Sequence, residues 1–259
     1  MDGEFYYRKE SFCFPLKVNP ENIPDTLSGA YALMREDLAH RNATPAAWKL
    51  GGTSHTTSSL YSVSVPYFGM LYAGEVWNSP CSPQLKDKRH TSAEVECMLR
   101  LGPNLPSILQ EGETALMSYP AEMLFDLWTW GVELPFSPIS NLGELGLMAL
   151  VADRCAAGGL VLGPPRAFLR DPIELWRQTS VKLAINGEIK AEGGLPALTA
   201  SPDICVRRFL VEALRYGFMP MPGQWIASGG LTPCLSLALA RRIEVICADQ
   251  IECTICLSE

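Results

Sequence analysis

The sequence predicts an α+β fold, with a helical N-terminal segment over residues 1–44 and a β-rich body over 45–259. Three observations predict it. Apolar residues recur at helical spacing near the N-terminus. After Pro45 the texture changes to short apolar runs broken by Gly and Pro. Asn186-Gly187, a strong hairpin signal, stands between two of those runs, VKLAI and EIKAE. The 259 residues, 47% hydrophobic and 19% charged, suffice for a sizeable core as one large domain or two small ones, which excludes disorder as the main state.

In chain order, Asp25 is placed to cap a helix with the stripe Leu27, Ala30, Tyr31, Met34 and Leu38, which ends before Asn42-Ala43-Thr44-Pro45. The segments AAWKLGG, SLYSVSVPYFGMLYAG and VECMLRLG then read as strands and turns. A helix is expected over roughly residues 107 to 130, with Pro120 as its kink or boundary. LVLGPP and the Asn186-Gly187 hairpin return to strands. Ser201-Pro202-Asp203 opens a third helix as cap, first-turn proline and early acid, running to a stop near Gly217. QWIASGGL and RRIEVICADQIECTICLSE read as closing strands. No internal repeat or low-complexity linker interrupts this order.

The charge balance narrows the partners. Lys and Arg number 21 against 28 Asp and Glu, a formal charge of −7, and neither sign runs in a block, which argues against nucleic acid and anionic lipid. No apolar run reaches the roughly 20 residues of a membrane span; Asp153, Arg154 and glycines interrupt the best stretch, near 142–163. The nine cysteines are scattered, and the opening MDGEFYYRKESF has no apolar leader region, so reduced thiols and a cytoplasmic location are expected. Cys253-Thr-Ile-Cys256 has no second ligand pair nearby, and edge-strand packing accounts for it better than a metal does.

Three short constellations could carry chemistry. In Trp48-Lys49-Leu50-Gly51-Gly52-Thr53-Ser54, a lysine precedes glycines whose N–H groups can approach an anion and hydroxyls that add donors; a desolvated lysine there can exchange protons. The same segment also fits an edge-strand lysine pointing into water. In Glu94-Val95-Glu96, carboxylates two residues apart on a strand face the same side, an oxygen-only set suited to Mg²⁺ or Mn²⁺, although solvated strand faces carry the same pattern. Ser228-Gly229-Gly230-Leu231-Thr232-Pro233 follows a strand and could line an anion pocket; alone it is a turn. His55 stands beside the Thr53-Ser54 turn, whereas His40 and His90 read as solvated. Trp77, Trp128 and Trp130 read as core or interface packing. Neither GxSxG nor GxGxxG occurs, and no Ser/His/Asp or Cys/His nucleophile arrangement is legible.

Taken in order, the pieces resemble the 2-oxopent-4-enoate (2-hydroxypenta-2,4-dienoate) hydratase and 4-oxalocrotonate decarboxylase group of the fumarylacetoacetate hydrolase superfamily. WKLGGTS at 48–54 matches K-x-G-x-T-S, PYFGMLYAG at 66–74 matches P-x-F-G-x-L, and AEVECMLRLGPNLP at 93–106 matches E-x-E followed by L-x-x-x-L-P. VADRCAAGGLVLGPP at 151–165, the NGE of Asn186-Gly187-Glu188 and IASGGLTP at 226–233 match later motifs. The resemblance implies a mixed β-sandwich roll with a small helical N-terminal segment, a Mg²⁺ or Mn²⁺ cofactor, a homo-oligomer, a role in aromatic-compound catabolism and a small 2-oxo acid substrate. It further implies Lys49 as the acid/base, Glu94, Glu96 and Glu122 as metal ligands with Glu122 also catalytic, and Thr53, Ser54, Asp153, Ser228, Gly229 and Thr232 against the substrate. The implied reaction is hydration of 2-hydroxypenta-2,4-dienoate, with decarboxylation or C–C hydrolysis on the same fold as alternatives. All place negative charge on the 2-oxygen, where a divalent Lewis acid stabilises it.

The chain departs from the group at the third ligand. The segment P-A-L-E-I-x-D-S-R, set without a gap on Pro120 to Trp128, puts Met123 at the ligand position and Glu122 one residue early, a rotation of about 100° on a helix. Glu122 serves there only if the chain slips locally. Ala149 and Arg154 stand where relatives carry an acid and an amide, and the usual G-D turn becomes Gly223-Gln224 or Ala240-Arg241. These changes open a further alternative, a diverged member with an altered or lost metal site in which Arg154 holds a carboxylate directly.

Overall fold

The computed structural model describes residues 15–168 and 172–258. Cys13, Glu259 and the N-terminal stretch read above for a leader lie outside the described residues. In chain order the strands are β1 (Ala47–Gly51), β2 (Tyr67–Leu71), β3 (Val76–Asn78), β4 (Ser92–Leu101), β5 (Phe125–Pro135), β6 (Ala157–Leu162) and β7 (Arg166–Ala167). They continue as β8 (Val181–Ile185), β9 (Glu188–Gly193), β10 (Trp225–Gly230), β11 (Leu235–Ser236), β12 (Arg242–Cys247) and β13 (Gln250–Cys256). One mixed sheet runs β2-β1-β10-β4-β5-β6-β3, with β11 on β4 and β7 on β5. A second, antiparallel sheet runs β13-β12-β8-β9. Within the mixed sheet β1 pairs β10 and β3 pairs β6 in parallel.

Helix α1 (Leu27–Arg41) forms where the stripe predicts it, but Thr26 rather than Asp25 caps it: the Thr26 side chain accepts from the Gly29 N–H at 3.1 Å. It buries Ala30, Tyr31 and Met34, and Tyr31 stacks on Phe68 of β2 with ring centroids 4.4 Å apart. Helix α8 (Pro202–Arg215) begins after Ser201 with proline in its first turn, as its sequence requires. Its Phe209 packs against Trp48 and Phe68 at 5.5 and 5.1 Å. Both helices therefore share one apolar cluster with β1 and β2, and burying each large side chain there contributes about 1.5–3 kcal/mol. Pairing with β2 and β10 makes β1 an interior strand, and that cluster seals one of its faces.

Two sequence expectations fail locally. Residues 59–61, read as the start of a strand run, instead end α2 (His55–Tyr61), because the Ser54 hydroxyl accepts from the Thr57 N–H and starts a helix. The single helix expected over 107–130 is three short ones, α3 (Leu105–Gln110), α4 (Glu113–Ser118) and α5 (Ala121–Leu124), and residues 125–130 belong to β5. Gly112 and Pro120 break the helix, and the aromatic and β-branched run Phe125 to Val132 pairs along β4. The chain continues through α6 (Leu142–Ala152) and α7 (Pro172–Gln178). Asn186 and Gly187 both take positive φ, 54° and 82°, and close the β8–β9 hairpin. Cys253 and Cys256 lie on β13, an edge of the second sheet, and every described cysteine is free. No helix of the described residues is long and apolar enough to cross a membrane.

Candidate metal centre and cleft

Strands β4 and β5 gather three carboxylates. In their antiparallel register Glu94 stands opposite Glu133 and Glu96 opposite Gly131, so the face that Glu94 and Glu96 share by their spacing also carries Glu133. One oxygen from each lies within 4.8 Å of the others, and this is the one such group among the described residues. Glu96 and Glu133 are 0% and 1% exposed. Burial, with the neighbouring charges of Glu133 and Glu94, holds the Glu96 carboxyl well above the usual carboxylate range. Burial and the Glu133 charge push Glu94 up to about 8.

Strand β10 shapes the opposite wall. A bulge between Ala227 and Gly230 turns the Gly229 N–H onto Glu96 Oε2 at 2.6 Å. Gly229 takes a φ of +124°, and a Cβ there would stand 1.9 Å from Thr53 Oγ1; a Cβ on Gly230 would stand 2.2 Å from Glu94 Oε2. Conformation favours glycine at 229, and a side chain at 230 would push the flexible end of Glu94 aside.

Lys49 lies on β1 at 7% exposure, its Nζ ion-paired with Glu133 Oε1. Burial alone would lower its pKa, but the charges of Glu133 and Glu94 outweigh that and hold it above the ordinary lysine value. The edge-strand alternative therefore does not apply. Asp153, at the end of α6, is 3% exposed, with Ser137 the hydroxyl beside its carboxyl. Burial pushes it up to about 7 against the opposing influence of Ser137 and Arg154.

A cleft of about 810 Å³ opens above the cluster. Glu94 forms part of its lining, and Ser54, His55, Thr232 and Cys234 border it. Glu96, Glu133 and Lys49 lie buried behind Glu94. Of the residues expected to face substrate, Ser54 and Thr232 reach the cleft. Ser228 does not: it is fully buried and its hydroxyl donates to the Cys97 carbonyl at 2.7 Å. Thr53 is 3% exposed and its carbonyl accepts from the Thr199 N–H, while Gly229 faces Glu96. Thr232 Oγ1 also accepts from the Val95 N–H at 3.0 Å, fastening the cleft wall to β4.

Glu122 is corrected by the fold. It lies exposed on α5, outside the carboxylate group, whose third member is Glu133. A signal was present: Glu133-Leu134-Pro135-Phe136-Ser137-Pro138 keeps the Glu and Ser of E-I-x-D-S-R, and an acid within Trp130-Gly131-Val132-Glu133-Leu134 is costly to bury without a purpose. Arg154 does not hold a carboxylate in the cleft either; its guanidinium makes a bidentate pair with Glu75 at 2.9 and 3.1 Å.

The donor set fits a hard divalent cation. It is three carboxylates, and Glu96 Oε1 and Glu133 Oε2 are buried with no hydrogen-bond partner. Such orphaned anionic oxygens are expensive unless protonated or ligating.

No protein-family model and no curated protein matches the sequence. Solved structures do match the fold. 4-Oxalocrotonate decarboxylase from Pseudomonas putida G7, complexed with magnesium and adipate, superposes with a TM-score of 0.71 at 19% identity, covering 90% of this chain and 86% of that one. The same enzyme with calcium and acetate gives 0.70 at 18% identity, with the same coverage. Fumarylpyruvate hydrolase from Pseudomonas aeruginosa, in complex with Mn²⁺ and pyruvate, gives 0.53 at 12% identity, covering 82% and 88%. The fold is therefore the α+β roll of the fumarylacetoacetate hydrolase type that the sequence motifs imply.

Proposed function

We propose that this chain is a divalent-metal-dependent enzyme acting on a small unsaturated 2-oxo or 2-hydroxydienoic acid, as a hydro-lyase that hydrates 2-hydroxypenta-2,4-dienoate to a 4-hydroxy-2-oxo acid. The observation that carries the reading is the carboxylate group of half-buried Glu94 and buried Glu96 and Glu133, paired through Glu133 to Lys49 at the bottom of a cleft. Glu94, Glu96 and Glu133 would hold Mg²⁺ or Mn²⁺, whose chemistry there is Lewis-acid stabilisation of negative charge on the substrate 2-oxygen. Fold neighbours complexed with magnesium, calcium or Mn²⁺ support a divalent cofactor.

The chain's own residues supply the rest. Lys49 Nζ carries a proton in a dry site, fixed in direction by Glu133, and is the group that moves a proton on the substrate skeleton. Glu94 couples the cleft to the buried pair. Ser54 and Thr232 orient the ligand from the cleft wall, and Leu231 and Pro196 help exclude water. Thr53 and Gly229 act behind them by fixing the bulge. A second reading, a 2-oxo acid decarboxylase, is favoured by the TM-score of 0.71 with a decarboxylase complexed with adipate; a C–C hydrolase is favoured less, at 0.53.

Metal analysis of the purified protein, with turnover of 2-hydroxypenta-2,4-dienoate before and after EDTA and on Mn²⁺ return, tests the reading. The expected result is metal-dependent loss of the dienoate. A protein that neither binds Mg²⁺ or Mn²⁺ nor turns over the dienoate, 4-oxalocrotonate or fumarylpyruvate would sink it.

A further inference from the structure

Arg154, Cys155 and Ala156 are consecutive non-glycine residues in the left-handed region, with φ of 52°, 58° and 56°. Each costs on the order of 1–2 kcal/mol, so the run persists only where its surroundings impose it. Two neighbours do so. The Arg154 guanidinium is 3% exposed; it donates to both Glu75 oxygens, to the Met70 carbonyl at 3.3 Å and to the Ala157 carbonyl at 3.4 Å. Glu75 is itself fixed by the Tyr72 N–H at 3.0 Å, and the Tyr72 ring lies 5.1 Å from the guanidinium carbon.

The second neighbour is Gly69 on β2. A Cβ there would stand 1.8 Å from the Arg154 carbonyl oxygen and 3.0 Å from Cys155 Cβ, so the left-handed turn occupies the space a side chain would fill. Gly69 is the cross-strand partner of Lys49. Paired residues project to the same face of a sheet, so the turn lies on the face of β1–β2 from which Lys49 extends. The Cys155 thiol is buried, which pushes its pKa up, and the nearby Lys49 ammonium opposes that shift. The wall beside the lysine is this strained turn.

We propose that Arg154, locked by Glu75, is a positioning residue for Lys49: it clamps residues 154–156 in the left-handed form that walls the lysine side chain against Glu133. The proposal rests on reading Lys49 as the proton-moving group. It also accounts for an arginine where related sequences carry an amide, since a bidentate clamp needs the guanidinium fork.

The test uses Glu75→Gln, with Glu75→Asp as the conservative rescue and Arg154→Lys as a milder break. Native protein is treated with N-ethylmaleimide and, separately, acetic anhydride, and labelling of Cys155 and Lys49 is read by peptide mass mapping. Turnover of 2-hydroxypenta-2,4-dienoate and Mn²⁺ affinity are measured alongside. The expected result for Glu75→Gln is labelling of both residues at least about tenfold faster and kcat at least about tenfold lower, with KM and Mn²⁺ affinity within about twofold, and partial return in Glu75→Asp. If Glu75→Gln does not fold, Arg154→Lys carries the same expectations at smaller size. Unchanged labelling, or lower thermal stability with unchanged kcat, overturns the proposal, because a merely structural clamp gives that result. If the unmodified protein turns over no 2-oxo acid, the functional reading fails separately and the labelling of Lys49 decides the positioning.

Discussion

Glu94 and Glu133 face each other across the β4–β5 pair, one lining the cleft and the other bound to the Lys49 ammonium. The opposition brings two carboxyls together beside a third, Glu96, with the ammonium of Lys49 paired to one of them. The net charge of this buried group is therefore negative whenever its carboxyls are ionised, and its chemistry follows from how that charge is relieved.

Glu133→Gln removes one of the three carboxylates proposed to hold the metal while keeping the side-chain volume. Loss of a mere supporting partner of a metal ligand costs about 10–100-fold in affinity. Mn²⁺ affinity is expected to fall at least about 100-fold, with turnover falling in parallel. Glu122→Gln, on the exposed face of α5, should leave both within about twofold. Calorimetric titration of both variants checks the assignment, and the reverse ranking would restore Glu122.

Lys49→Met breaks a buried pair from one side. The unpartnered Glu133 carboxylate makes the metal-free protein about 3–5 kcal/mol less stable. Mn²⁺ binding should recover much of that, because it supplies a positive charge to the same oxygens. Thermal melts with and without Mn²⁺ would show a larger metal-induced rise in the variant, with turnover absent in both conditions. Retained turnover contradicts the acid/base role.

The pH dependence has a definite sign. Glu94 at about 8 and Asp153 at about 7 stand above their ordinary values of 4.5 and 3.8, so between about pH 4 and pH 8 the folded chain holds protons that the unfolded chain has released. Their contribution is fully present below the ordinary values and is lost as pH rises through the folded values. Metal-free protein should melt at a lower temperature at pH 8 than at pH 5.5. Mn²⁺ should narrow the gap, and binding at pH 7 should release protons, measurable by calorimetry in buffers of different ionisation enthalpy. A melting temperature that rises over this range contradicts the carboxylate environment described here.

Gly230→Ala and Gly229→Ala separate site from scaffold. The first places a methyl against the flexible end of Glu94, so it should weaken Mn²⁺ binding several-fold with little loss of stability. The second forces a side chain to a φ of +124° against Thr53 and should cost about 1–3 kcal/mol. Melting and Mn²⁺ titration of the pair would show opposite rankings on the two measures.

By itself the sequence determined the α+β class, α1, α8, the Asn186-Gly187 hairpin, and the shared face of Glu94 and Glu96. Each follows from spacing within one segment or from turn chemistry, which act over a few residues. It also marked Lys49, but could not decide between buried and solvated, because the groups that enclose its side chain, Glu133 and the 154–156 turn, lie far away in the chain. Only the tertiary structure put Glu133 opposite Glu94, left Glu122 on the surface, sealed Ser228 inside the sheet and clamped Arg154 to Glu75. Those outcomes depend on strand register, and register is set by the whole β4–β5 and β10–β4 pairings, including the bulge at Gly229, rather than by any local motif.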